Sequence, residues 1–208
     1  MEKISLPRKI KLKDDIEKVL VRGIYGFNIK DRISFPKYTE LSFFEENYDD
    51  IKLEYLITFL KNESDGREVM YALMPEYRTF IREYCFESYS DKTNLDFYYC
   101  EDILSYSSPE RENIVSAKMF GVCTVNPTDH MDAFRQLSDC LYESLCNFKK
   151  EVLLYDYRKN INVKIEYNVD AKLYINNILV GYVINESEKG FISGHLNIDD
   201  IVKALLKN

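Results

Sequence analysis

Two histidines, five cysteines and several groups of acids are the side chains in this 208-residue sequence that could carry chemistry. A metal centre needs imidazole, thiolate or carboxylate ligands converging on one point. Neither His130 nor His195 sits in a dedicated ligand spacing. His130 lies between Asp129 and Met131 with Asp132 beyond. That reads either as a carboxylate–histidine site or as the acidic first turn of a helix, and the helix dipole favours the second reading. Neither a metal nor a cofactor is expected.

Thiol catalysis needs a thiolate beside an imidazole, which makes Cys123 with His130 or His195 the pairing to inspect. Ser193-Gly194-His195 lacks the Gly-x-Ser-x-Gly frame of a nucleophile elbow. Paired acids for glycoside or phosphoester chemistry could come from Glu45, Glu46, Asp49, Asp50, Glu101 and Asp102, but acids are so abundant there that no pair stands out. No phosphate-binding glycine loop is present. The sequence leans away from an enzyme, with a small hydrolase using clustered carboxylates or a Cys-His pair as the alternative.

Charge is more informative than any motif. Residues 1–37 hold 10 Lys/Arg against 5 Asp/Glu, residues 38–112 hold 7 against 18, and residues 113–208 hold 11 against 12. The central stretch also carries 10 of the 17 tyrosines and 6 of the 12 phenylalanines. Acids interleaved with aromatics suit a protein-binding surface, because aromatics supply contact area and an acidic field steers a basic partner. The competing reading puts the aromatics in the core and leaves the acids solvated. On the first reading the chain is a non-enzymatic binding factor, an inhibitor or immunity-type protein. It engages a basic protein, for example one that binds nucleic acid, through Glu45, Glu46, Tyr48, Asp49 and Asp50, with Glu101 and Asp102 in support. The basic start, Arg8, Lys9, Lys11 and Lys13, offers direct nucleic-acid binding as a third option.

The five cysteines, Cys85, Cys100, Cys123, Cys140 and Cys146, are odd in number and without paired short spacing, so they read as reduced, buried thiols. The segment from Met1 to Lys13 has no apolar signal-peptide middle, and no stretch reaches the roughly 18 apolar residues of a membrane span. A cytoplasmic, membrane-free location is expected.

The elements that must position these residues follow from periodicity. A helix is predicted from Asp14 to Arg22, with Asp14 and Asp15 at its positive end. Between Tyr38 and Glu112 the pattern reads as mostly helical, with Leu53, Leu56, Ile57 and Leu60 as one stripe and a further helix from Pro75 through Phe80, Ile81 and Tyr84. Asn94–Cys100 reads as a short strand and Ile114–Val125 as a longer one. A long amphipathic helix starts at Asp129, its apolar positions running Phe134, Leu137, Leu141, Leu145, Phe148 and Val152. Alternation over Asn162–Val169 gives a strand, Asn176 and Asn177 a tight hairpin turn, and Phe191–Leu196 another strand. Asn197 or Asp199 caps a last helix through Ile201, Val202, Leu205 and Leu206.

The expected fold is therefore α+β. It has a mostly helical amino-terminal half, then a long amphipathic helix, an antiparallel β-meander and a terminal helix. One domain over 1–208 is preferred, with 1–112 and 113–208 as the alternative division. Helix, three strands and helix from Asp129 onward is similar in order to double-stranded RNA-binding modules. The last helix, however, carries only Lys203 and Lys207 as basic residues, with Asp199 and Asp200 at its start.

Overall fold

A computed structural model describes residues 5–35, 38–40, 57–61, 68–73, 94–106, 114–154, 156–157, 161–186, 188 and 190–207. Its first helix, α1, spans Leu6–Tyr25 and buries Leu12, Ile16, Val19, Leu20 and Ile24, the three- and four-residue spacing of a core-facing stripe. Pro7 occupies the first turn, where the amide it lacks would have no intrahelical acceptor. The helix thus begins two turns before the expected Asp14. Asp14 and Asp15 lie inside it, and Asp15 is buried with Lys18 at 3.8 Å.

Ten strands follow among the described residues: β1 Asp31–Arg32, β2 Tyr38–Glu40, β3 Ile57–Lys61, β4 Glu68–Leu73, β5 Leu95–Tyr106, β6 Ile114–Val125, β7 Val163–Tyr167, β8 Ala171–Ile175, β9 Ile178–Glu186 and β10 Phe191–Asn197. Seven form one sheet in the order β1-β5-β6-β10-β9-β8-β7, and β2-β4-β3 form a second. In the larger sheet β1 runs parallel to β5, while the other neighbours are antiparallel. Two more helices, α2 at His130–Cys146 and α3 at Ile198–Leu206, complete the described elements, with short 3₁₀ turns after α2.

The expectation of a mostly helical amino-terminal half is overturned. Up to residue 112 the described elements are one helix and five strands. Ile57 and Leu60, two members of the supposed helical stripe, belong to β3, paired with β4 from Ile57↔Ala72 to Lys61↔Glu68. A short apolar run fits both periods, and β-branched and aromatic residues such as Ile57, Thr58 and Phe59 favour the strand once a partner is present. Leu53, Leu56 and the helix predicted from Pro75 lie outside the described residues. The short strand expected at Asn94 extends to Tyr106 because β5 pairs with β6 along its whole length, from Leu95↔Val125 to Tyr106↔Ile114.

In the carboxyl part local signals and structure coincide more closely. Asp129 caps α2, its Oδ1 accepting from the amides of Met131 and Asp132 at 2.9 Å each. The helix ends at Cys146, earlier than the stripe implied: Phe148 is buried in the following 3₁₀ turn, while Val152 is 78% exposed. Asn176 and Asn177, with φ of 51° and 63°, make the left-handed turn between β8 and β9. Asn197 caps α3, and its side chain accepts from the Asp200 amide at 3.2 Å.

The three helices pack on one face of the large sheet. Phe120 and Val122 of β6, Val180 and Val183 of β9 and Ile192 and Leu196 of β10 join the buried faces of α1, α2 and α3 in one core. Gly194 lets α2 approach closely, since a Cβ there would stand 2.6 Å from Leu141 Cδ1. Gly23 likewise admits Ser144 where α1 meets α2. Asp199 ties layers together, with Lys13 of α1 at 2.5 Å and the Lys118 amide of β6 donating to it at 2.9 Å.

Candidate functional site

Because side chains alternate along a strand, the residues between those core positions point to the opposite face of the sheet, on which none of the described helices packs. On β5 these are Leu95, Phe97 and Tyr99; on β6 Met119, Cys123 and Val125; on β10 Phe191, Ser193 and His195. The pairings align Tyr99, Gly121, His195, Tyr182, Lys172 and Glu166 in one row across six strands, from β5 to β7.

Gly121 shapes the centre of that row. A Cβ at this position would fall inside the Tyr99 ring. Its absence lets Tyr99 reach across β6 to β10, where its hydroxyl hydrogen-bonds His195 Nδ1. His195 Nε2 hydrogen-bonds Ser193 Oγ at 2.9 Å. Both ring nitrogens are thereby engaged, and a neutral imidazole donates through one and accepts through the other. Tyr99 and Ser193 are fully buried and His195 is 3% exposed, so the chain of polar groups lies away from water, where satisfied hydrogen bonds are needed. Phe35 packs edge-on against Tyr99 at 4.9 Å between centroids, and Tyr182 lies 5.2 Å from the His195 ring.

The face has a closed part and an open part. Phe35, Phe97, Tyr99, Cys123, Val125 and Phe191 form a second buried cluster over β5, β6 and the start of β10. Beyond His195 the face opens: Tyr182 and Tyr174 are half-buried, and Lys172, Glu166, Lys164 and Leu179 are exposed. Lys164 Nζ stands 2.5 Å from Glu166 Oε1. That lysine, and then the Tyr174 hydroxyl, hold the Glu166 carboxyl below its usual range.

The described residues among those singled out from sequence take separate roles. Asp129 is spent on the α2 cap, and Asp132 accepts from Gln136 Nε2 at 2.6 Å. His130 opens the helix with a buried Nδ1 that has no hydrogen-bond partner among the described residues. Among the described residues no group of three His, Cys, Asp or Glu is placed to hold a metal ion. Cys123 stands opposite Ser193 in the β6–β10 register, so thiol and imidazole share a face. Burial pushes the Cys100 and Cys140 thiols up to about 12, leaving them protonated and poor nucleophiles at neutral pH. Glu101 and Asp102 lie on β5, half-buried and exposed respectively. Glu45, Glu46, Tyr48, Asp49 and Asp50 lie outside the described residues. In the basic start, Arg8 pairs with Asp156 at 3.5 Å and Lys13 with Asp199.

Tyr99, Gly121, Tyr182 and Lys172 did not stand out in the sequence. An isolated glycine within the Ile114–Val125 strand was the available signal, since a strand glycine marks a close approach. Among the described residues no helix is long and apolar enough to cross a membrane.

No family model matches the sequence, and no curated protein matches it. Solved structures do resemble the fold. A Giardia lamblia prolyl-tRNA synthetase in complex with prolyl-adenylate superposes with a TM-score of 0.67 at 12% identity, covering 94% of this chain and 46% of that one. A Cryptosporidium parvum prolyl-tRNA synthetase complexed with halofuginone and AMPPNP gives 0.67 at 12% identity, over 98% of this chain and 48% of that one. Pyrrolysyl-tRNA synthetase from Desulfitobacterium hafniense gives 0.61 at 8% identity, over 94% and 73%. The chain spans about half the length of the two prolyl enzymes. These neighbours overturn the reading of a non-enzymatic inhibitor or immunity-type factor, which rested on local charge and aromatic content and took no account of the sheet. Of the alternatives, the pairing of Cys123 with His195 meets an imidazole whose two nitrogens already hydrogen-bond Tyr99 and Ser193, and in the basic start Arg8 and Lys13 face acids. What the likeness shows is the fold alone: the chain resembles part of each of these aminoacyl-tRNA synthetase structures.

Proposed function

We propose that this chain binds an amino acid, or a close carboxylate analogue, on the face of its seven-stranded sheet opposite the described helices. The observation that carries the proposal is the buried Tyr99–His195–Ser193 hydrogen-bond chain at the centre of that face. Burying three polar groups in a row is costly unless their geometry is fixed, and a fixed polar floor beside an open aromatic surface is the usual make-up of a ligand site. Structures of similar fold solved with prolyl-adenylate, or with L-proline and AMP, support the choice of ligand class.

The test is an NMR titration of the isotope-labelled protein with each of the twenty amino acids, with AMP and ATP in parallel. The expected result is saturable binding of at least one amino acid, with Kd between millimolar and micromolar, worth about 4–8 kcal/mol. Backbone shifts should centre on His195, Tyr182 and their strand neighbours. If no amino acid perturbs these strands at millimolar concentration, the proposal is wrong. If only a nucleotide binds, the ligand class is wrong and the site stands.

A further inference from the structure

The row through His195 continues past the buried groups onto an open, charged surface. Glu166, on the edge strand β7, is already engaged by Lys164 at 2.5 Å and by the Tyr174 hydroxyl. Lys172 lies directly opposite Glu166 in the β7–β8 register and directly opposite Tyr182 in the β8–β9 register. It is exposed, and its charge adds a weaker pull on the Glu166 carboxyl after those of Lys164 and the Tyr174 hydroxyl. The face therefore carries two lysines against a glutamate that one of them already holds.

We infer that Lys172 and Tyr182 are the recognition edge of the amino-acid site, Lys172 anchoring the ligand carboxylate and Tyr182 supporting its apolar part. This rests on the reading of the chain as an amino-acid binder. Three features support it. Adjacent strands lie about 4.8 Å apart, so the backbones of His195 and Lys172 are about 10 Å apart, with Tyr182 between them. Tyr182 thus stands between a buried polar end and an exposed cationic end. The Tyr182 ring is half-buried against His195 at 5.2 Å, so its position is set by packing. An exposed ammonium beside an aromatic surface complements an anion attached to an apolar group, and the same surface would repel a ligand whose outer end is cationic.

The experiment compares wild type, Lys172→Gln, Lys172→Arg and Lys203→Gln. Lys203 is a control on α3, where it is paired with Asp200 at 2.6 Å. Each is titrated with the amino acid giving the strongest wild-type response and with its carboxamide, which lacks the negative charge. Because the pair is solvent-exposed, Lys172→Gln should weaken the amino acid by about fivefold. It should leave the carboxamide unchanged, Lys172→Arg should recover most of the loss, and Lys203→Gln should match wild type. Wild-type binding that Lys172→Gln does not alter, or a loss equal for amino acid and carboxamide, overturns the anchor while the amino-acid reading stands. If no amino acid binds the wild type, both fall. A Tyr182→Ala variant that keeps full affinity removes the aromatic support from the assignment.

Discussion

Gly121 shows how one missing side chain organises a site. A tyrosine on one strand cannot ordinarily reach a histidine two strands away across an intervening residue. With no Cβ at 121, the Tyr99 ring lies over β6 and its hydroxyl meets His195. Gly121→Ala forces that ring to shift, so overpacking and loss of the buried hydrogen bond act together. The expected destabilisation is about 1–3 kcal/mol, read from urea denaturation, accompanied by a change in the His195 ring resonances. An alanine variant of wild-type stability with unchanged His195 resonances would contradict this arrangement. None of it was legible beforehand. His195 could be recognised as a candidate, but its partner lies 96 residues away in sequence, and no local pattern links Tyr99 to it.

At the scale of elements, the sequence was most informative where a local interaction decides the outcome. Asp129 satisfies two helix amides through its own side chain, a short-range effect that holds whatever α2 packs against. Asp129→Ala should therefore cost about 0.5–2 kcal/mol, measured by thermal or chemical unfolding, and Asp129→Ser should recover most of it. Asn176 and Asn177 fixed the β8–β9 turn in the same way, through their tolerance of positive φ. Where the outcome depends on a partner, the reading failed. Ile57 and Leu60 fit a helical stripe until β4 supplies the other half of a ladder. Val152 fits the α2 stripe by spacing, yet the chain leaves the helix at Cys146 and exposes it.

At the scale of the whole molecule, the sheet separates two tasks. Its helix-covered face carries most of the buried apolar residues, while the other face carries a smaller aromatic cluster, the polar chain and the open strip from Tyr182 to Glu166. Leu141 belongs to the first task, fully buried and packed where Gly194 brings α2 onto β10. Leu141→Ala should cost about 2–5 kcal/mol of stability, seen as a lower urea midpoint. If the two faces are separable, amino-acid affinity measured well below that midpoint should remain within about twofold of wild type. A large loss of affinity in a folded Leu141→Ala protein would show that the helix layer also sets the geometry of the site.

By itself the sequence determined the caps, the tight turn, the long helix and the alternating strands of the carboxyl part. Each rests on residues within a few positions of one another, where backbone sterics and short hydrogen bonds dominate. Tertiary structure alone decided that the amino-terminal stretches join sheets, that Tyr99, Ser193 and His195 form one chain, and that Lys172 stands in the same row. Those facts depend on strand order and register, which are set by which distant segments bury one another's apolar faces. Charge counted along the sequence could not show this, because a sheet brings together residues according to pairing and not according to their distance along the chain.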